Sequence, residues 1–141
     1  YAIDTVSRRR YTIYVKNLIN GNTLMDELSN TSGNAVWAND NKTLFYSKKD
    51  EQTLRSNKIF KHTLGEDSAD DVNVFTEQDE TFNTFVYKTK SKKYIVIGSS
   101  STLSSEYQIL DAPRRISCNG DRVPAKEMLA YRGFNGGLEL L

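Results

Sequence analysis

Short runs of alternating apolar and polar residues recur along this chain. Tyr11-Thr12-Ile13-Tyr14-Val15-Lys16-Asn17-Leu18 and Asn57-Lys58-Ile59-Phe60-Lys61-His62-Thr63-Leu64 lie 46 positions apart and share their β-branched and aromatic content, and Ser105-Glu106-Tyr107-Gln108-Ile109-Leu110-Asp111 follows after a further 48. A second pair lies 50 positions apart: Ala35 to Tyr46, and Phe85 to Val96, each with two strand-like runs around a polar turn. A period of two predicts strands with one face buried, and the Asn, Asp, Gly and Ser clusters between the runs predict turns.

In chain order, one unit reads as a strand at 35–38, a turn at Asn39-Asp40-Asn41, a strand at 42–47, a longer loop, a strand at 57–64, a turn through Gly65 and a strand at 72–76. The next unit begins near Thr84, repeats three strands and should reach its fourth after Pro113. The chain opens partway through an earlier unit, with strands at 1–6, 11–18 and 23–29. Four short antiparallel strands in roughly 45 residues is the signature of a β-propeller blade. Such a sheet cannot cover both its faces, so each unit needs its neighbours. A closed propeller has typically about 4 to 8 blades, more than 141 residues supply. The expectation is an all-β partial β-propeller of about three blades over residues 1–112, a segment of a larger protein. Residues 113–141 form a divergent tail. There Pro124-Ala125-Lys126-Glu127-Met128-Leu129-Ala130-Tyr131 suits a short helix opening at proline and ending near Gly133. The alternative reading of the tail is sequence foreign to the propeller.

Composition narrows the function classes. Apolar residues are 38% and aromatics 11%, enough for a packed core. With 19 basic and 18 acidic side chains the net charge is +1, and no overall field draws in nucleic acid or an anionic membrane. No apolar run approaches the roughly 18 residues needed to cross a bilayer as a helix. The single Cys118 excludes an internal disulfide, and one Cys with one His excludes the Cys/His zinc patterns. No G-x-S-x-G elbow, G-x-x-x-x-G-K-[ST] loop or G-x-G-x-x-G turn occurs. A Ser-His-Asp triad would have to use His62, whose run reads as a strand with the histidine on a polar face. No catalytic, cofactor-binding or metal-ligating residue is assigned, and no cofactor is expected.

The remaining charged features read as exposed turns. Lys88, Lys90, Lys92 and Lys93 bracket the turn between two strands, and Glu66-Asp67-Ser68-Ala69-Asp70-Asp71 lacks the spacing and closing Glu of a calcium loop. Arg8-Arg9-Arg10 falls between two strands. Trp37, Tyr46, Phe60, Tyr87, Tyr94 and Tyr107 recur at related positions and are expected to pack between blades, not to form a stacking platform.

Asp4-Thr5-Val6-Ser7-Arg8-Arg9, followed by Tyr11-Thr12-Ile13 and Lys16-Asn17-Leu18, resembles the propeller of the oligopeptidase B branch of the prolyl oligopeptidase family of serine peptidases. Val36-Trp37-Ala38-Asn39-Asp40-Asn41-Lys42-Thr43-Leu44-Phe45-Tyr46 is similar to the blade that follows in those enzymes. Ser91 to Ile97, Ser104-Ser105-Glu106 and Leu110-Asp111-Ala112 continue the likeness in the same order. The resemblance implies a two-domain enzyme in which a seven-bladed propeller covers an α/β-hydrolase domain, admits only oligopeptide substrates and allows cleavage after Lys or Arg. The family's catalytic residues lie in the hydrolase domain, so none is carried onto this chain, which would form part of a noncatalytic lid. Arg8 and Arg9 are the candidates for contact with that domain. A cytoplasmic location is expected, with a periplasmic one left open, since a signal peptide would lie upstream. The alternatives are a propeller scaffold that binds protein partners without hydrolase activity, and a freestanding β-domain that binds peptides at an edge. An isolated segment should self-associate through its uncovered edges and faces.

Overall fold

The computed structural model describes residues 1–112 in full and, beyond them, the backbone of two strands at 129–134 and 137–140. The strands are β1 (Ala2–Ile3), β2 (Tyr11–Lys16), β3 (Thr23–Trp37), β4 (Thr43–Lys49), β5 (Ser56–Thr63), β6 (Val72–Thr76), β7 (Asn83–Lys88), β8 (Tyr94–Ser100), β9 (Ser104–Asp111), β10 (Leu129–Phe134) and β11 (Gly137–Leu140), with one 3-10 turn at Ser68–Asp70. They form two antiparallel meanders, a six-stranded sheet in the order β1 to β6 and a five-stranded sheet in the order β11-β10-β9-β8-β7. The fold is all-β, and the sheets stack as propeller blades.

Two central strands show why the blades stack. In β4 the run Thr43-Leu44-Phe45-Tyr46-Ser47 is buried at every position, and in β8 so is Ile95-Val96-Ile97-Gly98-Ser99. Successive side chains point to opposite faces, so continuous burial means that both faces are covered. Leu44 and Tyr46 join Ile13 and Leu28 in one apolar cluster, whereas Phe45 joins Ala38, Ile59, Val86, Ile95, Ile97 and Ala112 in another. The first cluster is the seam between β1–β3 and β4–β5, and the second is the seam against β7–β9.

The strand β3 belongs to two blades. Its first half pairs with β2 (Ile13↔Leu28, Tyr14↔Glu27) and its last residues pair with β4 (Ala35↔Tyr46, Trp37↔Leu44), with an irregularity between Thr31 and Ala35. The break is made by two left-handed residues, Asn30 at φ 56° and Gly33 at φ 84°. Gly33 also has the Tyr11 ring 3.2 Å from where a Cβ would lie, so the crossover needs glycine twice over. The separate strands expected at 23–29 and 35–38 are therefore one bent strand: outermost in the first, incomplete blade and innermost in the second. The 46- and 48-residue offsets fall on β2, β5 and β9, each of which lies next to the outermost strand of a four-stranded blade or its fragment.

The tail corrects one expectation. Leu129, Ala130 and Tyr131 are strand, paired with Ile109, Gln108 and Tyr107 of β9, and the start of the expected helix at 124–128 lies outside the described residues. Helix propensity differs by tenths of a kcal/mol per residue, and the ladder bonds offered by the open edge of β9 outweigh it. A fourth strand after Pro113 is present, and β11 adds a fifth.

Candidate functional site

Two places concentrate polar chemistry, and the first centres on His62. Its side chain is 1% exposed, and both ring nitrogens face carboxylates: Nε2 lies 3.0 Å from Oδ1 of Asp26 and Nδ1 lies 2.7 Å from Oδ1 of Asp71. The backbone N–H of Gly65 donates to Asp26 at 2.6 Å, and the Tyr46 hydroxyl donates to Oδ2 of Asp71 at 2.8 Å. Asp26 stands on β3 between Leu24 and Leu28, on the inward face of the first blade. His62 is on β5 and Asp71 precedes β6, both in the second blade. The cluster therefore bridges a seam otherwise filled by Ile13, Leu28, Leu44 and Tyr46.

A neutral imidazole has one N–H and one acceptor nitrogen. Here each nitrogen meets a carboxylate oxygen, so only the imidazolium satisfies both contacts. Burial works against the charged ring, but the hydrogen bonds and charges of Asp26 and Asp71 outweigh it and hold the His62 pKa above its ordinary value of 6.5. For Asp26, burial is likewise overcome by the Gly65 amide and His62, and its pKa falls below 3.8. Burial and the Asp71 carboxylate push the Tyr46 hydroxyl well above its ordinary range, so it remains a donor. With both nitrogens engaged, His62 has no free lone pair for a nucleophile, and the Asp-His pair cannot act as a triad base. It is a charged brace between blades. The polar strand face expected for His62 is corrected: the residue is buried. Asp71 is corrected as well, because its side chain is 3% exposed while Glu66, Asp67 and Asp70 of the same loop are exposed as expected.

The second place is a basic end of the segment. Asp4 folds the β1–β2 loop around its carboxylate, accepting from the backbone N–H of Val6 at 3.1 Å, Arg8 at 3.3 Å and Arg9 at 2.7 Å. Ser7 and Arg9 adopt left-handed φ values of 55° and 59°. Arg8 and Arg9 are exposed, and among the described residues their side chains make no hydrogen bond or ion pair. Arg10 instead donates to the carbonyl of Glu51 in the β4–β5 loop. Burial and the nearby Arg9 charge lower the pKa of Lys49, with Asp4 opposing. Like charges thus lie near each other where the β1–β2 loop meets the end of β4. Asp50 similarly accepts from the N–H groups of Gln52 and Thr53, and Asp79 from that of Thr81. The Arg55 guanidinium donates to the carbonyls of Phe82 at 2.7 Å, Glu77 at 3.3 Å and Asp79. The loops at this end are pinned by carboxylates and a guanidinium.

Other expected features divide. Lys90, Lys92 and Lys93 are exposed, but Lys88 donates to Oδ1 of Asn39 at 3.1 Å while Asn39 donates to the Lys92 carbonyl at 2.6 Å, tying the second and third blades together. Tyr46 is buried and stacked on Phe60 at 5.9 Å, whereas Trp37, Tyr87 and Tyr94 are 37%, 43% and 40% exposed. Reasoning from sequence missed Asp26. The available signal was an acid at an inward position of the alternation, between Leu24 and Leu28.

The family pattern described as prolyl oligopeptidase, N-terminal beta-propeller domain, matches residues 1–120. A dipeptidyl aminopeptidase BI from Pseudoxanthomonas mexicana is 41% identical over 112 residues, 79% of this chain and 16% of that protein. Protease 2 from Moraxella lacunata is 36% identical over 110 residues, 77% of this chain and 16% of that protein. The chain thus spans about a sixth of the length of these relatives. Among solved structures, oligopeptidase B from Leishmania major superposes with a TM-score of 0.77 at 28% identity, covering 99% of this chain and 22% of that one. Oligopeptidase B from Trypanosoma brucei, with covalently bound antipain in a closed form, gives 0.75 at 27% identity over 95% of this chain and 18% of that one.

Proposed function

The chain belongs to the prolyl oligopeptidase family, whose N-terminal β-propeller domain it matches over residues 1–120, and we propose that it is the noncatalytic, substrate-gating part of a serine oligopeptidase that cleaves short peptides after Arg or Lys. The observation that carries this reading is the likeness of stacked blades to two oligopeptidase B structures, at TM-scores of 0.77 and 0.75. Nucleophile and base belong, on this reading, to an α/β-hydrolase domain elsewhere in the parent protein. The blades act by exclusion. Seams closed by apolar clusters and loops pinned by Asp4, Asp50, Asp79 and Arg55 make a stiff cap, which suits a cover that turns away folded proteins and passes flexible peptides. Arg8 and Arg9, whose side chains have no partner among the described residues, stand on a pinned loop and are the contacts offered to carboxylates of the facing domain. A cytoplasmic location is proposed for the enzyme, with the periplasm as the alternative.

The test is to read the open frame around this segment at its source and to assay the full protein. A downstream G-x-S-x-G followed by Asp and His in α/β-hydrolase order, with cleavage of blocked peptides after Arg or Lys, supports the proposal. Release of dipeptides only from free amino ends would shift the mode toward that named for the Pseudoxanthomonas relative. A frame that adds only blades would leave a binding scaffold and overturn the peptidase reading.

A further inference from the structure

The two seams of the segment are built from different chemistry. The seam between the second and third blades is closed by Phe45, Ile59, Val86, Ile95 and Ile97, none of which titrates. The seam between the first and second blades has a smaller apolar cluster and, beside it, Asp26, His62 and Asp71. All three side chains are nearly sealed from solvent, at 4%, 1% and 3% exposed. The groups that face the ring come from each neighbouring element: Asp26 from β3, Asp71 from the approach to β6, the Tyr46 hydroxyl from β4 through Asp71, and the Gly65 amide through Asp26. Among the described residues no other charged side chain is hydrogen-bonded or ion-paired to these three.

We propose that Asp26, His62 and Asp71 form a proton-operated latch that holds the first blade on the second while the imidazole carries two protons and releases that seam alone when one proton leaves. The reason is a matter of counting donors. With two N–H groups, the ring satisfies a carboxylate on each blade and cancels one of two buried negative charges. With one N–H, a carboxylate faces a nitrogen lone pair, and two buried anions share a site with no cation. That arrangement is relieved by admitting water, which means parting Asp26 from the ring. Asp71 stays with Tyr46, since their bond lies within the second blade. The seam through Phe45 has no such dependence, so the response is local. In a lid, this places a pH-sensitive hinge between two adjacent blades, independent of where the peptidase chemistry resides.

His62 is the sole histidine of the chain, so histidine-selective nitrogen labelling gives one imidazole signal in the 141-residue protein. Nuclear magnetic resonance should find both ring nitrogens protonated at pH 6. On raising the pH through the His62 titration, amide exchange corrected for intrinsic base catalysis should quicken about tenfold or more in β2 and the first half of β3, and stay unchanged in β7 and β8. His62→Gln should abolish this pH response. If that variant does not fold, Asp71→Asn serves in its place, and both the titration and the loosening should move to lower pH together. A neutral single tautomer at pH 6, a titration without loosening of β2–β3, equal loosening of both seams, or an Asp71→Asn variant that shifts neither would overturn the proposal.

Discussion

Phe85 and Gly98 face each other across the β7–β8 pair, and the Phe85 ring occupies the space that a side chain at 98 would need: a Cβ there would lie 2.4 Å from Cζ. The ring is also stacked on Tyr87 at 6.2 Å, which limits its escape. Gly98→Ala should therefore destabilise the fold by about 1–3 kcal/mol through overpacking. The double variant with Phe85→Ala should cost less than the sum of the single changes, since removing the ring removes the clash that Gly98→Ala creates. Denaturant unfolding of the four proteins checks this, and strict additivity would refute the contact.

Arg55 links the β4–β5 loop to the β6–β7 connection through three carbonyls. A lysine keeps the charge but loses the planar fork. Arg55→Lys should cost about 1–2 kcal/mol and speed amide exchange around residues 77–82. An unchanged unfolding midpoint would show that the fork contributes nothing.

Stability should depend on pH on both sides of a plateau. The folded pKa of His62 is raised above 6.5, so its stabilising contribution is complete below 6.5 and is lost as pH rises through the folded value. The folded pKa of Asp26 is lowered below 3.8, so its contribution is complete above 3.8 and is lost as pH falls through the folded value. Asp40 titrates in the same sense. Thermal unfolding as a function of pH should give the highest midpoint between these limits, and His62→Leu should remove the alkaline decline. That variant leaves two buried carboxylates uncompensated and should cost about 3–5 kcal/mol near neutral pH. A midpoint that rises through pH 7 to 8 in the native protein would contradict the assignment.

Arg8 and Arg9 make no side-chain bond among the described residues, so replacing both by Ala should leave the fold's stability within about 0.5 kcal/mol. In the full peptidase the same change should alter the rate of peptide cleavage or its salt dependence. Unchanged kinetics across ionic strength would discard a role for this pair at the domain interface.

Among the described residues, part of the outer surface is apolar and open. Tyr87 and Tyr94 stand exposed on one side, and β1 is an open edge of the first sheet. The isolated chain should self-associate at micromolar concentration, as sedimentation velocity at several loadings would show. A strictly monomeric, stable species would overturn the expectation.

The all-β class, the four-strand period and most strand positions follow from the sequence alone. The period-two alternation in Tyr11–Lys16 and Ser56–Thr63 is a local property of the chain, and any fold must put its apolar side inward. The family was legible too, because Asp4 to Arg9 and Val36 to Tyr46 keep type and spacing together. Four matters were decided only by tertiary structure. The bend of β3 at Asn30 and Gly33 joins two expected strands because both blades need that residue run as a neighbour. Leu129 to Tyr131 became strand because β9 offered unpaired backbone. Trp37 and Tyr87 share a repeat position and are both exposed, and Tyr94 is exposed where its counterpart Leu44 is buried, because burial depends on which face has a neighbour. The Asp26–His62–Asp71 brace joins residues 36 and 9 positions apart, and alternation alone marks such residues as misplaced polar groups. Only the closing of the seam brings two carboxylates within hydrogen-bond reach of one ring, and it is that proximity, out of water, that keeps the ring charged.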